Sequence, residues 1–162
     1  MKHTLTLITL LLLPLTCFAR LGETKEQLNA RYGKPLIDEK IETQMRKVGY
    51  ANNGFCFTVY LLDDKSVAMI ISHFDSQPMT DHEIKSFLDK NSIGSGFNFD
   101  SLNSDMAVRI FIEIDSERSG RYYPSNPKSD NFSPRLLIAT KEGLARTLDY
   151  WTKLLDDKTQ GF

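Results

Sequence analysis

The residues best suited to chemistry cluster in the stretch HFDSQPMTDHE, where His73 and Asp75 stand two apart and His82 and Glu83 follow. Imidazole and carboxylate groups of this kind ligate zinc or serve a hydrolase as base and activator. If the turn at Gln77-Pro78 folds back on itself, His73, Asp75 and His82 could converge on a metal ion. Against this, the four residues match no standard ligand spacing such as the helical His-Glu-x-x-His. Asp81 and Glu83 also have a second explanation, because acidic residues favour the first turn of a helix. No metal ligand is therefore assigned, and His73, Asp75 and His82 stand as the alternative site of an envelope hydrolase or metal-binding protein.

Nucleophiles are less well placed. Gly94-Ser95-Gly96 lacks the Gly-x-Ser-x-Gly elbow and has no apolar strand before it. Cys56 sits in the middle of FCFTVYLL, an apolar strand pattern, whereas a reactive thiol needs a partly open and electropositive setting. No glycine-rich phosphate loop is present, so no catalytic residue and no cofactor is expected. A contact surface is the better expectation. The segment SERSGRYYPSNPKSDNFSPR, residues 116–135, interleaves Arg118, Arg121, Lys128 and Arg135 with Tyr122 and Tyr123. Arginine and tyrosine dominate binding hot spots, so these six residues are the expected binding set.

Elements to position these residues can be read in order. In LGETKEQLNARYGKP, Thr24 and Gln27 form a capping box, and Leu28 and Tyr32 share one helical face. Gly33 supplies a left-handed stop and Pro35 prevents continuation. A first strand is expected near 44–50, then an Asn53-Gly54 hairpin turn, a strand from Phe55 to Leu62 buried on both faces, and a return strand from Ser66 to Phe74. Thr80 and Glu83 repeat the capping box before a helix striped with Ile84, Phe87 and Leu88. Residues 91–103 read as a loop pinned by Phe97 and Phe99. Residues 106–114 alternate as a single-sided strand, with Val108, Ile110 and Ile112 opposite Ala107, Arg109, Phe111 and Glu113. Residues 116–135, with three prolines, read as one long surface loop. A strand from Arg135 to Thr140 leads to a last helix, about Lys141 to Asp157, striped with Leu144, Leu148, Trp151 and Leu155. The expected fold is α+β, an antiparallel β-sheet meander packed against an N-terminal short helix, a middle helix and a C-terminal helix.

Composition narrows the function class. Of 162 residues, 20 are basic and 21 acidic, a formal charge of −1, which argues against a polyanion or nucleic-acid partner. The chain opens with Lys2 and an apolar run from Leu5 that closes on Cys17 and Ala19, the pattern of an export signal cut after Ala19. A membrane span needs about 20 apolar residues, and Pro14 interrupts this shorter run. Residues 1–19 are thus expected to be a signal peptide, and 20–162 one periplasmic or secreted α+β domain with no transmembrane segment. A rival reading lipidates Cys17 and makes the chain an anchored structural envelope protein, but Thr16 stands where such signals carry a smaller residue. Cleavage after Ala19 would leave Cys56 as the sole cysteine, so stability must come from packing rather than an internal disulfide.

The positions Gly22, Thr24, Leu28, Gly33 and Pro35, with the strands that follow as far as Phe74, resemble the small outer-membrane proteins of the SmpA/OmlA family and the related β-lactamase-inhibitor-protein-like folds. The resemblance covers residues 21–74 and leaves everything from Thr80 onward outside it. It implies a helix-then-meander unit in a non-enzymatic envelope protein that works by contacting a partner, another envelope protein.

Overall fold

The computed structural model describes residues 20–42, 44–103, 107–124 and 133–159. The expected signal segment with Cys17, and Lys128 of the expected binding set, lie outside these residues. The capping box at Thr24 forms as read, with the Thr24 amide donating to Gln27 Oε1 at 2.9 Å and the Gln27 amide to Thr24 Oγ1 at 3.4 Å. It starts helix α1, Lys25–Tyr32, which buries Leu28 and Tyr32 and stops at Gly33, whose φ is +84°. Four antiparallel strands follow: β1 Ile37–Lys40, β2 Met45–Asn52, β3 Phe55–Leu62 and β4 Lys65–His73. Asn53 and Gly54 both take positive φ, which matches the tight turn that the right-handed twist of a hairpin favours.

The second capping box also forms. The Thr80 amide donates to Glu83 Oε2 at 2.7 Å and the Glu83 amide to Thr80 Oγ1 at 3.3 Å, which opens α2, Asp81–Asn91. Four more strands follow: β5 Asn98–Asn103, β6 Val108–Glu113, β7 Arg118–Tyr123 and β8 Arg135–Thr140. A single 3-10 turn, Ile114–Ser116, joins β6 to β7, and helix α3, Lys141–Thr159, completes the described chain. Among the described residues the strands make one eight-stranded antiparallel sheet in the order β1-β2-β3-β4-β8-β7-β6-β5. Each helix-plus-four-strand unit is a meander, and the two units join where β4 pairs with β8, Met69 opposite Ile138.

Alternation along the strands sends side chains to two cores. On one face α1 and α2 cover Val48, Phe57, Val59, Met69, Leu136 and Ile138; on the other α3 covers Met45, Tyr60, Ala68, Leu137 and Ala139. Strand β3 is thus flanked by both layers, as its doubly apolar pattern predicts.

Four expectations need correction. Residues 37–40, read as part of a connection, form the edge strand β1, whose four side chains are all exposed. Residues 91–103 contain β5 rather than a loop alone. Its register slips between Phe99 and Ser101, so the two large apolar residues, Phe99 and Leu102, stand three apart and mask the period of two. Residues 118–123 form β7, inside the sheet between β6 and β8. They read as a loop because two of the three residues facing α2 are not apolar: Arg118, whose guanidinium donates to the Asn91 carbonyl, and Gly120, whose missing side chain leaves room for Leu88. Finally, Leu148 of the α3 stripe is 39% exposed, while Thr147 is buried and Tyr150 packs beside Trp151.

Candidate functional site

The two histidines and Asp75 are not brought together. His73, at the end of β4, places Nε2 3.3 Å from Glu83 Oε1 and its ring 4.4 Å from that of Phe55. Asp75 is exposed and accepts from the Gln77 amide at 3.2 Å, a local turn contact. His82 points outward over a shallow hollow shared with Lys85, Ser86, Asp89 and Lys90. Glu83 is held below its ordinary range: burial works against ionisation, but the Thr80 amide and hydroxyl and the His73 contact outweigh it. Among the described residues no group of three His, Cys, Asp or Glu side chains is placed to hold a metal ion. The half-buried Cys56 thiol is pushed up by burial, which disfavours the thiolate.

Strand alternation divides the expected binding set. Arg118 and Tyr122 face α2 and are buried. The Tyr122 phenol oxygen accepts from the Met79 amide at 3.1 Å, and burial pushes that phenol up. Arg121, Tyr123 and Arg135 lie on the opposite face, Tyr123 directly across from Arg135 and Arg121 across from Leu137. The structure thus separates the five described residues into an internal pair, Arg118 and Tyr122, and a cluster on the opposite face.

Neither set accounts for Glu113, which is fully buried at the end of β6. Its Oε1 accepts from the amides of Ile93 (3.2 Å), Gly94 (3.0 Å) and Gly96 (3.3 Å), and the hydroxyls of Ser92 and Ser116 add to these. Burial alone would raise its pKa, yet the hydroxyls of Ser116 and Ser92 and the amides of Gly94 and Ile93 bring it down to about 2. The amides of Gly94 and Gly96 are thereby explained as part of a ring of donors around an internal carboxylate. Strand β6 consequently presents Arg109, Phe111 and Glu113 to α2, the reverse of the expected apolar face.

That inversion creates a groove. Between α2 and strands β5 and β6 lies a hollow of about 280 Å³ lined by Ile84, Leu88, Phe97, Phe99, Phe111 and Arg109, with Asp81, Lys85 and Asp89 at its rim. Its floor is apolar. Phe99 remains 60% exposed and Leu102 57% exposed on β5. Arg109 bridges the end of the groove, its Nη1 2.5 Å from Asp81 Oδ1 and its guanidinium carbon 4.8 Å from the centre of the Tyr122 ring. Lys85 pairs with Asp89 at 2.7 Å, so both pairs of rim charges are internally neutralised. This site is hidden in the sequence because Phe97 and Phe99 read as pins for a loop. Their position in a glycine- and serine-rich stretch was the available signal.

The sequence matches no protein-family model and no curated protein. The structure is similar to a cysteine-rich secretory protein from Staphylococcus aureus subsp. aureus Mu50, with a TM-score of 0.51 and 14% identity over 77% of this chain. An extracellular protein containing an SCP domain, from Bacillus anthracis str. Ames, aligns over 78% of this chain with a TM-score of 0.47 and 15% identity. This chain spans less than half the length of either, 44% and 46%. At these identities the first likeness is one of fold. Among the described residues no helix is long and apolar enough to cross a membrane.

Proposed function

We propose that this is an exported binding protein whose work is contact with a partner rather than catalysis, with the groove between α2 and β5 as its principal contact surface. The observation that carries this reading is the exposure of Phe99 and Leu102 beside an apolar hollow whose rim charges are already paired. Exposed apolar surface rimmed by polar groups marks interaction sites on proteins. At about 280 Å³ the hollow falls just below the range of small-molecule pockets, about 300–1,000 Å³, and suits a few side chains of a larger partner. Export accords with the apolar leader and with a fold shared by a protein described as secretory. The resemblance to SmpA/OmlA proteins supports a contact role in the envelope.

One observation favours a second surface, around Arg121, Tyr123 and Arg135. All three side chains are partly exposed on the sheet face opposite α2, and arginine and tyrosine are the residues that dominate binding hot spots.

The test is site-specific photo-crosslinking in the native envelope. A photoreactive residue at Phe99 should yield a discrete adduct that the same residue at Leu36, more exposed and beside the opposite edge of the sheet, does not. Matching adduct patterns at both positions would contradict the assignment of the groove.

A further inference from the structure

We infer that the occupant of this groove is an extended polypeptide segment of a different protein, added to β5 as a ninth strand with its apolar side chains seated between β5 and α2. The inference rests on the proposed contact surface and names its occupant. Strand β5 ends the sheet, so its outer row of amides and carbonyls meets no strand among the described residues. Such a row is a template for another chain, and strand addition is a recurring way to bind peptides.

Comparison of the two sheet edges sharpens the point, because they occupy equivalent places in the two helix-plus-meander units. Strand β1 is four residues long and carries Asp38, Glu39 and Lys40. Lys25 of α1 reaches across to Asp38 at 2.6 Å, and Arg46 and Lys47 of β2 pair with Asp38 and Glu39, so that edge is charged and tied to its helix. Short charged edges are how natural sheets avoid pairing. Strand β5 is six residues long, NFDSLN, with no basic residue. The first residue of α2, Asp81, pairs past it with Arg109 on β6, and the space between helix and edge stays open. One edge is closed and the other is left available.

Chemistry then selects the occupant. With Asp81 paired to Arg109 and Lys85 to Asp89, the charges lining the groove balance, its walls are Phe97, Phe99 and Phe111, and Asp100 on β5 beside it meets no ion-pair partner among the described residues. A strand with apolar side chains on alternate residues fits, and an acidic one does not. A second copy of this chain fits less well. The slip at Asp100 bends β5, and two copies paired edge to edge would carry that irregularity twice.

The experiment pans a phage-displayed library of linear ten-residue peptides against the purified full chain and takes the strongest binder as probe. Strand addition predicts that the bound peptide slows amide exchange at Asn98–Asn103 at least about tenfold. N-methylation of alternate peptide residues, which removes the donors of one strand edge, and the variant Phe99→Lys should each weaken binding about tenfold or more. Leu36→Lys should leave it unchanged. If Phe99→Lys weakens binding but N-methylation does not and β5 exchange is unaltered, strand addition is overturned while the groove survives as a contact surface. Recovery of no peptide, or protection confined to another part of the chain, would overturn both. A concentration-dependent dimer dissolved by Phe99→Lys would overturn the assignment to a foreign segment.

Discussion

Glu113 shows how much one side chain can organise. A carboxylate on the solvent side of an alternating strand is the ordinary reading of EIDS after an apolar run, yet this one is buried at the end of α2. The amides of Ile93, Gly94 and Gly96 close around it. The same carboxylate fixes the loop that delivers Phe97 to the groove. Its pKa falls from 4.5 to about 2 on folding, worth about 3 kcal/mol when fully ionised. Because the folded value is the lower one, that stabilisation is complete above about pH 4.5 and disappears as pH falls towards about 2. Urea unfolding of Glu113→Gln should show a loss of roughly 3 kcal/mol at pH 7 and a smaller difference from the parent at pH 2.5. A difference that stays constant with pH would contradict this account. Only the Ser116 hydroxyl among the partners of Glu113 is local; the others are the Ser92 hydroxyl and backbone amides some twenty residues earlier, and amides have no sequence signature. His73 illustrates the converse: residue type suggested chemistry, while the fold uses it to pack on Phe55 and to meet Glu83.

At the scale of elements, what was legible is what is local. Both capping boxes, the Gly33 stop and the Asn53-Gly54 turn depend on residues within four of one another, and all four form as read. Strand β7 is illegible because its inward positions are completed from elsewhere, Gly120 leaving its space to Leu88 and Arg118 turning its charge to Asn91 and Glu113, and β5 because its register slip breaks the period of two. The groove inherits that difficulty, since it exists only once β5 is a strand and α2 lies across β7. Helix α3 makes a further element-level point. A Cβ added at Gly143 would lie 2.1 Å from the Val67 carbonyl oxygen, so the helix rests its first turn directly on the backbone of β4. In a free helix Gly→Ala stabilises by about 1 kcal/mol. Here backbone must move, and Gly143→Ala should instead destabilise by about 1–3 kcal/mol, seen as a lowered melting temperature. A raised one would show that α3 can lift away without loss. The expected stripe departs from the structure at Leu148, where Thr147 turns in instead, while Trp151 lies inward as expected and its Nε1 donates to the Tyr60 hydroxyl at 3.1 Å.

For the molecule as a whole, the organising fact is that one pattern occurs twice. Thr24, Gln27, Leu28 and Tyr32 recur as Thr80, Glu83, Ile84 and Leu88, each set followed by four antiparallel strands. The second helix lacks the Gly-x-Pro stop of the first and ends at Ser92 in extended backbone. The repeat is carried by spacing and topology rather than by letters. Its halves then diverge at their edges, one sealed by Lys25 and Asp38 and the other open beside Phe99. An open edge is useful only if the rest of the sheet does not part, and the seam at β4 and β8 decides that. Ile138 sits fully buried at this seam, opposite Met69 of the first half and Gly120 of the second, in the core that both α1 and α2 cover. Shortening it to alanine should cost about 2–5 kcal/mol through lost burial and the cavity left behind. Because the seam side chain belongs to both halves, the loss should fall equally on each. Amide exchange in β2 and β3 and in β6 and β7 should accelerate by the same factor, with a single unfolding transition retained. Separate transitions, or acceleration confined to β6 and β7, would mean that the halves fold independently and that a strand bound at β5 would report only on its own half.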